Sequence, residues 1–198
     1  MCPCLGITGG IGSGKSYISQ IFSALGIAVY DADTETKLLY SRDTTLQTEL
    51  VALLGGEIFK DQVLQKDIMA AKIFSCPELL AKVNALVHPA VFQDFAFWRA
   101  SKSPYVIMES AILAQTPFAN VADRILTVSA PIALRLERLQ RRDQAAQEDL
   151  QRRMNNQWSD EMREAKADFV IYSDGKSPLL PQVEKVHRAM LVLARKNY

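Results

Sequence analysis

Gly9-Gly10-Ile11-Gly12-Ser13-Gly14-Lys15-Ser16 matches the phosphate-binding pattern G-x-x-x-x-G-K-[ST] at every fixed position. Glycines let successive backbone N–H groups turn inward around a polyphosphate. The positive end of a following helix favours the same anion. In such a loop Lys15 reaches the β- and γ-phosphates and the Ser16 hydroxyl ligates Mg²⁺. Gly10, Ile11, Gly12, Ser13, Gly14, Lys15 and Ser16 are therefore candidate nucleotide-binding residues. A glycine-rich turn without a ligand is the bland alternative, and it leaves the flanking pattern unexplained.

Phosphoryl transfer also needs a group that orients or deprotonates the nucleophile. Asp31 and Asp33 follow a short apolar run, Ile27-Ala28-Val29-Tyr30, and so fall at the carboxyl end of a strand, where ligands gather in open parallel sheets. Asp33 stands either as a catalytic carboxylate or as the N-cap of the helix opening at Thr34. The same two readings apply to Asp31. Glu109 directly follows the run 105–108, in the place of a carboxylate that holds the metal through water. Arg135, Arg138 and Arg142 are spaced i, i+3, i+7 and share one helix face. They either clamp phosphates or form a solvated face paired with Glu137 and Asp143.

The elements that must position these residues follow from periodicity. Cys4-Leu5-Gly6-Ile7-Thr8 reads as a buried strand, and Ile18, Ile21, Phe22 and Leu25 fall on one face of the helix after the loop. From Thr34 to Arg99 the pattern turns helical, with a break at Leu54-Gly55-Gly56 and a helix start at Ser75-Cys76-Pro77-Glu78. Strands return at Tyr105–Met108, Arg124–Val128 and Phe169–Tyr172. Each is short, rich in Val and Ile and followed by a helical stretch, which predicts a parallel α/β sheet covered on both faces. Leu179, Val183, Val186, Met190 and Leu193 give the last helix an apolar face. The stretch 143–157 is weakly apolar and reads as a mobile lid.

Composition is that of an ordinary globule: 198 residues, 48% hydrophobic, formal net charge +1. Nothing global points to nucleic acid or an anionic membrane as partner. No signal segment and no apolar run of about 18 residues is present, so the cytosol is the expected compartment. Cys2, Cys4 and Cys76 lack the second pair that a four-ligand metal clip needs, and Cys4 is expected to be buried and reduced. His88 and His187 are too few and too separated for a histidine metal site.

With these residues assembled, the chain resembles the dephospho-coenzyme A kinases along nearly its whole length. The resemblance rests on Ile7 to Ser16, on Leu25-Gly26-Ile27 leading to Asp31-Ala32-Asp33, and on Leu86-Val87-His88-Pro89. It continues through Leu136 to Asp143, Asn155-Asn156-Gln157 and Ala167 to Ile171. It implies a P-loop NTPase-type three-layer fold with a nucleotide-binding core (1–33, 100–142 and 158–198), a helical acceptor domain (34–99) and a lid (143–157). The implied activity is transfer of the ATP γ-phosphoryl group, with Mg²⁺, to the 3′-hydroxyl of dephospho-CoA. Asp33 would accept the hydroxyl proton, Arg138 or Arg142 would cover the transferring phosphate, and Asp31, Asp33 and His88 would contact the acceptor. Ser16 and Glu109 would serve the metal. The family's Asp-x-Pro-Leu-Leu-x-Glu stands here as Glu109 to Gln115, with Glu for Asp, no proline, and Gln115 for the final Glu. Two other readings use the same loop: a kinase of another small acceptor such as a nucleoside monophosphate, and a non-enzymatic nucleotide-dependent switch. Oligomeric state is not legible.

Overall fold

The structure, a computed structural model, describes residues 2–99, 104–143, 150–151, 154 and 157–196. Most of the expected lid, including Arg152, Arg153, Asn155 and Asn156, lies outside the described residues. The chain divides into two compact units, one made of residues up to Asp31 together with those from Arg99 onward, the other of Ala32–Trp98.

The first unit is built on a five-stranded parallel sheet: β1 (Cys4–Gly9), β2 (Ala28–Asp31), β5 (Val106–Glu109), β6 (Arg124–Ser129) and β7 (Phe169–Tyr172), in the order β2-β5-β1-β6-β7. Central strands of such a sheet bury both faces, which is why β1 and β5 read as continuous apolar runs and are buried throughout. Leu5, Ile7, Ile107, Leu126, Val128 and Ile171 join Ile18 and Phe22 of α1 (Lys15–Ala24) and Val183, Val186 and Met190 of α8 (Leu179–Lys196) in one core. Burial stabilises each large aliphatic side chain by about 2 kcal/mol. Leu25, expected on the apolar face of α1, is instead half-exposed, because the helix ends at Ala24 and Leu25 is its C-cap. β5 begins and ends one residue later than the sequence suggests, so Glu109 is the last strand residue rather than the first loop residue.

Topology fixes where a ligand can bind. α1 leads from β1 toward β2 on one side, while α6 (Ile132–Asp143) leads from β6 toward β7 on the other. The helices diverge between β1 and β6, leaving a crevice at the strands' carboxyl ends. The phosphate loop and α6 flank that crevice.

In the second unit, α2 (Ala32–Arg42), α3 (Thr44–Leu54), α4 (Lys66–Phe74) and α5 (Pro77–Arg99, its last residue in the first unit) are the helices. Asp43 caps α3 by accepting from the Leu46 amide at 3.0 Å. Pro77 opens α5, where its missing N–H costs nothing. Leu46, Leu50, Ile58, Val83 and Val91 are buried. The segment is not wholly helical: β3 (Phe59–Lys60) and β4 (Val63–Leu64) form an antiparallel hairpin. Strands of two residues are too short to show alternation, so the pattern hides them.

Candidate active site

The loop after β1 has the backbone its glycines allow. Gly14, the N-cap of α1, sits at φ 100° and ψ 19°, a left-handed conformation in which any Cβ is strained. At Gly10 a Cβ would overlap the Arg135 guanidinium, so glycine there is a matter of space. An α-helix leaves its first N–H groups without intrahelical partners, and no acidic residue in the first turn of α1 competes for them. The Lys15 ammonium folds back over the loop and donates to the carbonyls of Gly9 at 3.0 Å and Gly10 at 3.4 Å.

Opposite the loop stands α6. Gly12, Gly14, Lys15, Ser16 and Tyr17 on one side and Arg138, Leu139 and Arg142 on the other enclose a cleft of about 190 Å³. Arg138 reaches across it, donating to the carbonyls of Ser13 at 3.2 Å, Gly12 at 3.4 Å and Ser173 at 2.9 Å. At the carboxyl end of the sheet the Ser16 hydroxyl, in the first turn of α1, donates to Glu109 Oε1 at 2.9 Å. Asp31 is the register partner of Glu109, so two carboxylates end neighbouring strands. A hydroxyl and a carboxylate are hard oxygen donors of the kind Mg²⁺ takes. Fully buried, the Ser13 hydroxyl has no hydrogen-bond partner among the described residues.

The first unit thus brings together Gly10, Ile11, Gly12, Ser13, Gly14, Lys15, Ser16, Asp31, Glu109, Arg138 and Arg142. Asp33 and His88 belong to the helical unit. Asp33 is the second residue of α2, because the helix begins directly where β2 ends. It is therefore a first-turn carboxylate, favoured by the helix dipole, and not the cap preceding Thr34. His88 lies mid-way along α5, just before the in-helix Pro89, and burial pushes its imidazole below the usual value. In the altered segment after Glu109, Leu113 is buried against Gly6, and Gln115 closes a short 3₁₀ turn.

Arg135 departs from the sequence reading. It does not line the cleft but is buried behind the loop, where its Nε donates to the Ile11 carbonyl at 2.9 Å. Gln157, the last residue of the expected lid, accepts from the Ile11 amide at 2.8 Å. Asp160 and Arg163, in the short helix α7 (Asp160–Glu164), complete this group. Their i, i+3 spacing reads as an ordinary surface pair, so the sequence carries no signal of burial.

Comparison with known proteins decides among the kinase classes that share such a loop. A family model described as dephospho-CoA kinase matches residues 3–178. The chain belongs to the dephospho-CoA kinase family. A dephospho-CoA kinase of Bacteroides fragilis is 41% identical over 181 residues, covering 90% of this chain and 88% of that protein. A crystal structure of a Thermus thermophilus protein superposes with a TM-score of 0.82 at 27% identity, covering 96% of this chain and 97% of the other. A dephospho-CoA kinase structure from Campylobacter jejuni shares the fold, with a TM-score of 0.65 at 17% identity over 98% of both chains. A member of this family is an enzyme, an ATP-dependent kinase that converts dephospho-CoA to coenzyme A.

Proposed function

We propose that the cleft between the Gly9–Ser16 loop and α6 binds ATP and that Asp33 activates the 3′-hydroxyl of dephospho-CoA for attack on the γ-phosphate. The observation that carries this reading is the Ser16–Glu109 hydrogen bond at 2.9 Å, set beside the N-terminus of α1 and facing two arginines. Such a cradle suits a polyphosphate. Amides of the first turn would bind the β-phosphate, and Lys15 would exchange loop carbonyls for β- and γ-oxygens. Ser16 and Glu109 would hold Mg²⁺, the carboxylate through water, and the ion would offset charge on the β- and γ-phosphates. Arg142, with Arg138 beside it, would face the transferring group and stabilise the charge spread over its oxygens.

On the acceptor side, Asp31, Asp33 and His88 would contact dephospho-CoA. Asp33 would take the hydroxyl proton as the oxygen attacks. His88, kept neutral by burial, would serve as a hydrogen-bond partner and not as a charge. The same reading makes the protein a cytoplasmic enzyme. No described helix is long and apolar enough to cross a membrane.

Asp33→Asn tests the assignment. Asparagine keeps the size and still hydrogen-bonds a hydroxyl, but it accepts no proton. The expected result is a fall in kcat of about a hundredfold or more, with ATP affinity and melting temperature near wild type. Retained kcat would remove Asp33 from the chemistry and leave it a helix-terminus charge.

A further inference from the structure

Ile11 sits in the phosphate loop between two glycines, and both its backbone polar groups are held by side chains from far along the chain. Its carbonyl accepts from Arg135 Nε at 2.9 Å and its amide donates to Gln157 Oε1 at 2.8 Å. Those two holders are joined through two further residues. Asp160 accepts from Arg135 Nη1, at 2.9 Å on Oδ2 and 3.2 Å on Oδ1, and from Arg163 Nη1 at 2.8 Å on Oδ1. Arg163 Nη2 donates in turn to Gln157 Oε1 at 3.4 Å. The contacts close a ring that runs from Ile11 through Arg135, Asp160, Arg163 and Gln157 back to Ile11.

We infer that Asp160 is a positioning residue for phosphoryl transfer, setting the shape of the nucleotide cradle through Arg135 and Gln157 without touching substrate. Two physical points carry this. First, a loop with this many glycines has little stiffness of its own, yet a cradle of N–H groups is effective only when fixed to within a fraction of an ångström. An external brace on its backbone supplies that stiffness. Second, Arg135 and Arg163 are 4% and 2% exposed, and Asp160 is the carboxylate they share. Buried guanidiniums hold one geometry only while their counter-charge is in place. Removing it releases both arms of the brace together. Two cations on one anion also leave net positive charge behind the loop, which favours a polyphosphate in front of it.

The inference rests on the loop being the ATP site, and the experiment separates the two. Asp160→Asn, Asp160→Glu, Gln157→Ala and Lys15→Ala are compared by steady-state kinetics with ATP and dephospho-CoA varied in turn, alongside thermal unfolding. Asp160→Asn should lower kcat/KM for ATP about tenfold to a hundredfold, as misplacement of about 1 Å does. KM for dephospho-CoA should stay within about twofold. Asp160→Glu, which keeps the charge, should recover part of the loss, and Gln157→Ala should shift the same parameter in the same direction. A variant that melts earlier but keeps wild-type kcat/KM for ATP well below its melting point would overturn the inference and leave Asp160 a stabilising residue only. A rise in KM for dephospho-CoA as large as that for ATP would overturn it too. Should Asp160→Asn fail to fold, unchanged ATP kinetics in Gln157→Ala would sink the idea, and an ATP-selective loss there would support it. If Lys15→Ala leaves ATP kinetics untouched, the ATP site itself is elsewhere and both readings fall.

Discussion

Lys15 bears most directly on phosphate binding, and its side chain is committed to the loop itself, with contacts to Gly9 and Gly10 that hold it over the cleft. Lys15→Ala should abolish transfer, by about a hundredfold or more, while circular dichroism stays unchanged, because the ammonium supplies charge and little packing. A variant that keeps more than about a tenth of wild-type activity would disprove that role. At this scale the sequence was informative wherever a residue's chemistry depends on its neighbours in the chain. The loop pattern places Lys15 and Ser16, and the position of Glu109 at the end of an apolar run leads to its bond with Ser16. Arg135 was not legible in the same way. It shares a helix face with Arg138 and Arg142, but spacing gives only the angle about the axis. Arg142 lies about 10 Å further along that axis than Arg135. The first turn of α6 meets Ile11 and is covered, while the later turns meet the cleft.

Among the elements, the core strands and the helices that follow them were visible because burial on both faces demands unbroken apolar runs. The hairpin β3–β4 was not. It has two residues per strand, and its turn residues, Asp61 at φ 50° and Gln62 at φ 63°, are not the glycines or asparagines that advertise such a turn. That mismatch is testable. A left-handed conformation costs a non-glycine residue about 1 kcal/mol, partly offset by the greater chain entropy glycine loses on folding. Gln62→Gly should therefore stabilise the protein by about 0.5 kcal/mol, a rise of about 1–2 °C in melting temperature for a chain of this length. A melting temperature that is unchanged or lower would mean that the Gln62 side chain contributes contacts worth more than the strain. The helix start at Pro77 and the stop before Gly55 were both marked by their residues, since proline and glycine act through backbone geometry and need no tertiary partner.

For the molecule as a whole, length, composition and a net charge of +1 bounded little beyond an ordinary globule. The order of several motifs along the chain pointed to the family, and the family match spans residues 3–178. What no motif could show is how deeply particular titratable groups are buried, and that depth governs how stability responds to pH. Cys4, in the fully buried strand β1, has its thiol pushed up to about 12 by burial. Tyr105 is raised the same way, its hydroxyl bonded to His187 Nδ1 at 2.8 Å. In the unfolded chain these groups ionise near their ordinary values, about 8.5 and 10. Above pH ~7.5 the unfolded state therefore sheds protons that the native state keeps, and stability falls as pH rises. Below that pH neither group contributes any pH dependence. For Cys4 alone the loss between pH 9 and 10.5 should be about 2 kcal/mol, since a fully shifted group costs about 1.4 kcal/mol per pH unit. Urea denaturation at pH 8 and pH 10.5, run on wild type and on Cys4→Ala, isolates that share. The cavity left by the substitution lowers stability equally at both pH values, so the comparison is made within each protein. The drop between the two pH values should be smaller in Cys4→Ala by about 2.5 kcal/mol. Equal drops would show that the Cys4 thiol ionises as readily in the native state as in the unfolded chain, and that the alkaline sensitivity of the fold comes from Tyr105 or from the surface lysines.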